Sequence, residues 1–382
     1  MRPDRSSAGN VGLRLSGAGS CPSVRVDSNE QRSFVMKRWV VTWVVVAASA
    51  SPAYAQSSVR ISGSVYGGVG LNWGGPSRTH LAGPGSIMFS GKEDMGGGNA
   101  VLFKLENGFN AGTGTNASAT TFFDKQSFVG LQGDWGTLRA GRVYTPAFAT
   151  LALVADPSGT FSVLTSTGLM ESHGVRLNNG IIYNSPGFDP WTYRRTGVYG
   201  ALAHYFGESS TGGASRNAAT GLNLGYGKGP LVLELSHQRT NRYTSERQDV
   251  DARSTLLAAN YDFGPVTGYI AYSDNDARNV IAGVKTKDSN DLLLGATVPV
   301  GAGLVTVLYV RKHDKRAIDN DANLIGAAYD YPLSKRTKFT IGYARIHNEN
   351  PANHYKLANG YTGTTAANGG TSAVQLGVTY RF

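Results

Sequence analysis

Ser372-Ala373-Val374-Gln375-Leu376-Gly377-Val378-Thr379-Tyr380-Arg381-Phe382 decides the fold. In an extended strand side chains alternate between faces. Val374, Leu376, Val378, Tyr380 and Phe382 then share one face, and Gln375, Gly377, Thr379 and Arg381 share the other. A tilted strand of about 9–11 residues crosses a bilayer. A transmembrane barrel needs this pattern: apolar side chains toward lipid, polar ones toward the lumen, aromatics at the interface. If this strand closes a barrel, the rest of the chain should repeat its period.

The 382 residues include 50 Gly, 19 Tyr and 14 Phe. Mean hydropathy is −0.22, and no run approaches the roughly 20 apolar residues of a spanning helix. Lys37-Arg38, the nearly uncharged stretch Trp39 to Ala50, and Ala53-Tyr54-Ala55 have the three parts of a secretory leader. Residues 36–55 are therefore expected to be a signal peptide cut after Ala55. Residues 1–35 read as an extension upstream of the better start at Met36, and 56–382 as one barrel domain. The single cysteine, Cys21, falls in that extension, so no thiolate site or disulfide framework is expected in the exported chain. The whole chain carries a net charge of +10; residues 1–55 hold seven basic and three acidic residues, which leaves 29 and 23, a net of +6. Such an excess suits anionic solutes. No basic stripe with interleaved aromatics is present, which argues against nucleic acid.

Period-two segments recur from Val59 onward. Val59, Ile61 and Val65 oppose Arg60, Ser62, Ser64 and Tyr66 in a first strand, Val59 to Trp73. Val101, Phe103 and Leu105 oppose Leu102, Lys104 and Glu106 in a third, Ala100 to Phe109. A fourth is expected over Phe122 to Gln132, a sixth over Gly180 to Ser185, and a seventh over Trp191 to Phe206 after a turn at Pro186 to Pro190. The count reaches sixteen, with seven tight Gly/Pro/Asp turns alternating with eight longer polar loops. The expected fold is all-β, a 16-stranded antiparallel transmembrane β-barrel with short periplasmic turns and long extracellular loops. Trp73, Trp135, Trp191, Tyr331 and Tyr380 stand at strand ends, where interfacial girdles form.

The chain resembles a known family through specific pieces. Gly91-Lys92-Glu93-Asp94-Met95-Gly96-Gly97-Gly98 is similar to G-T-E-D-L-G-G-G, and Phe103-Lys104-Leu105-Glu106-Asn107-Gly108-Phe109 to F-Q-L-E-x-G-F. Ser127 to Leu131, Trp135 to Arg142, Tyr183 to Pro186 and the terminal Tyr380-Arg381-Phe382 also match. Together they resemble the trimeric general porins of Gram-negative β-proteobacteria, the neisserial and Burkholderia/Bordetella type. That resemblance implies an outer-membrane homotrimer passing small hydrophilic solutes and ions. It also implies contact with outer-membrane lipids and lipopolysaccharide, a third loop folded into the lumen, and terminal Tyr380 and Phe382 read by the barrel-assembly machinery.

By position, Thr145 to Asn179 corresponds to that inward loop. It carries Asp156, Glu171, His173 and Arg176, charges expected to face the wall across a constriction. Alternation turns Arg60, Lys92, Lys104 and Arg139 inward; Arg142 has the opposite parity and needs a bulge or a rim position. Several anion-selective relatives have Arg where Ser86, Ser90 and Ile182 stand here, while Lys92 and Lys104 replace residues often uncharged. These two lysines and the +6 excess predict an anion preference. The seven histidines are dispersed, with no nucleophile or metal-ligand spacing, so no catalysis, metal or cofactor is expected. The competing readings are a substrate-selective channel and a non-conducting structural or adhesive barrel.

Overall fold

The computed structural model describes residues 58–74, 78–159, 162–170, 173–190, 193–207, 217–245, 248–350, 355–357 and 370–382; the expected extension and leader lie outside them. Sixteen strands make one antiparallel wall. They are β1 Ser58–Trp73, β2 Pro84–Gly96, β3 Asn99–Asn110, β4 Gln126–Gly133, β5 Gly136–Tyr144, β6 Arg176–Asn184, β7 Gly197–Tyr205 and β8 Ala219–Lys228. Then come β9 Leu231–Ser245, β10 Gln248–Asp262, β11 Thr267–Asn279, β12 Val284–Val300, β13 Gly303–Asp314, β14 Ala322–Pro332, β15 Thr337–Asn348 and β16 Ser372–Arg381. Each strand pairs with the next. The terminal strand pairs back onto the first, from Ser64↔Arg381 to Trp73↔Ser372, and closes the barrel. The closure extends to the last residue: Phe382 N–H donates to the Gly63 carbonyl and Gly63 N–H to the Phe382 carbonyl, both at 3.1 Å.

The alternation read from the sequence sets the two faces of the wall. On β16, Leu376, Val378 and Tyr380 are exposed outward while Gln375 and Thr379 are buried inward. On β3, Leu102 and Lys104 are buried in the lumen. Closed pairing matters because a backbone N–H or C=O facing lipid has no water partner, and each orphan costs several kcal/mol.

Four boundaries depart from the sequence expectation. The sixth strand starts at Arg176, not Gly180, because its pairing with β5 resumes beyond a bulge at Val143↔Leu177 and Tyr144↔Arg176. Residues 78–82 are not a free connection but a strand folded back on β1, Gly68↔Ala82 to Asn72↔Arg78. The fourth strand starts at Gln126, not Phe122, because the preceding residues bond to the end of β3 through side chains. Asp124 Oδ1 accepts from Gly108 N–H at 2.6 Å, and the Phe122 carbonyl accepts from Asn107 Nδ2. The seventh strand starts at Gly197, not Trp191, because Phe188–Asp189 pairs with Arg194–Arg195 in a small hairpin of its own. The connection between β6 and β7 is therefore no tight turn.

Wall height varies. β4, β5 and β6 have eight or nine residues, whereas β9 to β12 have thirteen to seventeen. Leu376 sits outward between Val69 and Ile341. Leu376→Arg is expected to cost about 2–4 kcal/mol, the penalty of a cation on the lipid face near the midplane, read as a lower urea midpoint for unfolding from lipid vesicles.

Candidate functional site: the channel aperture

The connection between β5 and β6 folds into the lumen. Thr145 caps its first turn, accepting from Phe148 N–H at 3.2 Å, and Pro146 opens the helix α1, Pro146–Thr150; proline fits there because the first helical N–H has no partner to lose. A π-turn, Leu151–Ala155, and a 3-10 turn, Ser166–Gly168, follow. Leu151, Val154, Val163, Leu164, Leu169 and Met170 bury against Leu256, Leu293, Leu308, Leu324 and Ile346 of the inner wall. Each large side chain removed from water contributes about 1.5–3 kcal/mol. Polar anchors fix the path: Asn260 Nδ2 donates to the Val154 carbonyl at 2.9 Å, and Val163 N–H to Gln375 Oε1 at 2.8 Å. The approach is close at two strand glycines, where a Cβ would crowd the loop. One built on Gly326 would lie 2.9 Å from Leu164 Cγ, and one on Gly295 3.0 Å from Pro157 Cγ.

The sequence carries a signal for this docking track. On a wall with a watery lumen, apolar residues should not be adjacent, yet Leu256-Leu257, Leu292-Leu293-Leu294, Val307-Leu308 and Leu324-Ile325 are. One residue of each run faces lipid and another faces the loop: Ile325 is 60% exposed and Leu324 is fully buried.

Between the free face of the loop and the opposite wall lies a cavity of about 480 Å³. The loop contributes Ala149, Ala152, Leu153, Ser158 and Ser162, all neutral; the wall contributes Lys104, Glu106, Gln126, Asp330, Lys338 and Arg381. Lys338 Nζ is 2.6 Å from Asp330 Oδ2, and Lys125 Nζ is 3.8 Å from Glu106 Oε1. Arg381 makes no ion pair among the described residues.

The expected site residues fall in different places. Lys104 lines the cavity, its ammonium 5.6 Å from the centre of the Tyr193 ring. Arg139 points inward but is buried outside this cavity, donating from Nη2 to Asn184 Oδ1 at 2.9 Å and stacked over Phe128 at 5.2 Å. Arg60 and Lys92 sit on the exposed short-turn rim, where Lys92 Nζ donates to Gln132 Oε1 at 2.8 Å. Arg142 is not a wall charge in the aperture. A bulge does occur between Gly141 and Val143, but it keeps Val143 inward, and Arg142 turns to the Asp124 carbonyl at 2.7 Å and to Asn178 Oδ1.

Asp156 does not face the wall either. Its Oδ1 accepts from Ser158 N–H and Oγ at 2.8 and 2.5 Å, and its Oδ2 from Ser166 N–H and Oγ, both at 2.7 Å. The carboxylate ties the loop to itself. Glu171 lies outside the described residues. His173 and Arg176 hold the loop's return: His173 Nε2–H donates to the Arg253 carbonyl at 2.7 Å, and Arg176 sits over the Tyr144 ring with Asp124 3.7 Å away. Tyr380 and Phe382 stack on the outer surface at the seam, ring centres 6.3 Å apart.

One residue the motifs did not mark organises the site from behind. Glu234, fully buried, accepts from Thr150 Oγ1 of the loop helix and Asn223 Nδ2 through one oxygen, and from Arg195 Nε and Tyr199 OH through the other. Its signal was a lone acid at an inward position of β9. Removing one partner of such a buried pair costs about 3–5 kcal/mol, because the other charge is stranded.

A closed sixteen-stranded barrel whose lumen is narrowed by an inward loop defines an outer-membrane channel. A sequence profile described as Gram-negative porin matches residues 42–351, and the chain belongs to that family. Outer membrane porin protein 32 of Delftia acidovorans is 29% identical over 91% of this chain and 100% of its own length. Major outer membrane protein P.IB of Neisseria gonorrhoeae is 30% identical over 67% of this chain and 75% of its own. The solved anion-selective porin from Comamonas acidovorans superposes with a TM-score of 0.71 at 27% identity, covering 86% of this chain and 100% of that one. OmpF from Salmonella typhi, at 16% identity and a TM-score of 0.60, shares the fold. The protein is thus an outer-membrane porin, a passive diffusion channel.

Asp156→Ala removes four hydrogen bonds to a charged group and is expected to loosen the loop by about 3 kcal/mol. The measurement is single-channel recording, which should show flickering substates while the barrel keeps its heat-modifiable mobility on gels.

Proposed function

We propose that this porin passes small hydrophilic solutes and ions without catalysis, prefers anions, and works as a homotrimer in contact with outer-membrane lipid and lipopolysaccharide. The observation that carries the anion preference is the asymmetry of the aperture. Among the described residues its loop face is neutral, because Asp156 is consumed within the loop. Its wall holds Lys104, Lys338 and Arg381 against Glu106 and Asp330. Behind that wall Lys125, Arg139 and Arg176 stand against Asp124 and Asp189, which interact electrostatically with Lys125 and Lys104 respectively. Low-dielectric walls focus such a field on a passing ion. The solved relative called anion-selective supports the same sign.

An open cavity between loop and wall speaks against the plugged, non-conducting reading. The low wall of β4 to β6, with Val129, Leu131, Leu138 and Ile181 exposed outward, is the side we assign to neighbouring copies. Tyr380 and Phe382, outward at the seam, are open to the assembly machinery before closure.

Replacing one charge at about 4 Å from the ion path shifts its energy by about 1 kcal/mol even in a water-like dielectric. Lys104→Gln raises the anion's energy and lowers the cation's by that amount, so the anion-to-cation permeability ratio is expected to fall roughly thirtyfold. The reversal potential in a salt gradient across a planar bilayer reads it. A wild-type potential of cation sign would sink the anion assignment, leaving the pore itself intact.

A further inference from the structure

The diffusion-channel function needs only the loop from the long-loop side. A second element enters from the other end. The connection between β6 and β7 turns its hairpin into the lumen instead of continuing the wall. Phe188–Asp189 pairs with Arg194–Arg195, and Thr196 N–H closes onto the Gly187 carbonyl at 2.8 Å. Tyr193, at its inner edge, lines the same cavity as the loop residues Phe148, Ala149 and Ala152. Its hydroxyl accepts from Gln126 Nε2 at 3.4 Å across the wall.

Tyr193 also adopts φ = 57°, a left-handed conformation that a bulky aromatic residue rarely takes. Such a backbone persists only where its surroundings hold it, and here the holder is visible. Arg195 Nη1 donates to the Tyr193 carbonyl at 3.1 Å, while Arg195 Nε donates to Glu234 at 3.0 Å. The guanidinium packs against the stacked pair of Phe188 and Tyr199, 5.3 and 5.9 Å from the two ring centres. Glu234 bonds the constriction-loop helix through Thr150 with its other oxygen. One carboxylate therefore fixes both intruding elements to the wall.

We propose that this hairpin is a second constricting element, entering from the short-turn side, with Tyr193 as the residue that sets the aperture's width there and Arg195 as the positioning residue that holds Tyr193 in the lumen. The pore is then narrowed by two elements that meet at one cavity. The loop contributes a neutral face to the aperture, and the Tyr193 ring bounds it beside Lys104, so solute size is set by both.

Three channels test this, each checked for heat-modifiable mobility. Tyr193→Ala should raise single-channel conductance and admit larger oligosaccharides in liposome swelling. Arg195→Gln should give the same rise, and the double variant should add nothing to Tyr193→Ala, because Arg195 acts through Tyr193. If Tyr193→Ala does not fold, Tyr193→Cys in a Cys21→Ser background serves, since Cys21 is the only cysteine in the chain. A sulfonatoethyl methanethiosulfonate reagent should then lower its conductance, and dithiothreitol should restore it. Unchanged conductance and size cut-off in Tyr193→Ala, or no effect of the reagent on Tyr193→Cys, overturns the proposal. The wild-type conductance, read alongside, tests the open pore separately.

Discussion

Backbone pairing in lipid is the constraint from which the rest of this porin follows. A peptide group in hydrocarbon has no solvent to bond, so a sheet that crosses the bilayer must have no edge. The seam between β1 and β16 supplies that closure, down to the reciprocal bonds of Gly63 and Phe382. Glycine suits position 63: a Cβ there would meet the Phe382 ring at 2.7 Å and the Ser86 carbonyl at 2.2 Å. Closure leaves two surfaces with opposite solvents, and each strand residue is assigned to one of them by parity alone.

That parity explains how much could be read without coordinates. All sixteen strands lie where period-two segments stand, and Lys104, Leu102 and Gln375 face inward as alternation requires. The readings that failed are those where something other than parity decides. Phe122 to Lys125 carries apolar and polar residues suited to a strand, but Asp124 accepts from Gly108 N–H of β3, and Asn107 of β3 donates to the Phe122 carbonyl, which takes that stretch out of the ladder. Arg142 would need the bulge to turn it inward, but the bulge leaves Val143 inward and Arg142 at the opposite parity that alternation gives it. Asp156 looks like an aperture charge by loop position, yet Ser158 and Ser166 are spaced to wrap it, so its field is spent inside the loop.

The inward loop departs from the simple inside-out rule. A water-filled barrel should be polar within, but the inner face from β10 to β15 is apolar where the loop lies on it and polar where solute passes. The wall is thus divided lengthwise into a docking track and a permeation track. Adjacent apolar residues such as Leu324-Ile325 belong to the first, and alternating stretches such as Lys338 to Thr340 to the second. The glycines at 295 and 326 fall on the docking track, where backbone and loop must come close.

Placing selectivity on the wall and shape on the loop has a physical advantage. Wall charges such as Lys104 and Lys338 stand on strands paired along both edges, so their positions fluctuate little. A neutral loop can shift slightly without changing the sign of the field. The loop still has to be held, and its anchors are buried: Glu234 behind α1, Gln375 beneath Val163 at the edge of the cavity, and the Asp156 carboxylate within the tip. Burial makes those anchors strong, because the alternative to each bond is an unsatisfied polar group in a dry site. Charges left in the water of the lumen attract passing ions, and charges removed from it fix the geometry through which those ions pass.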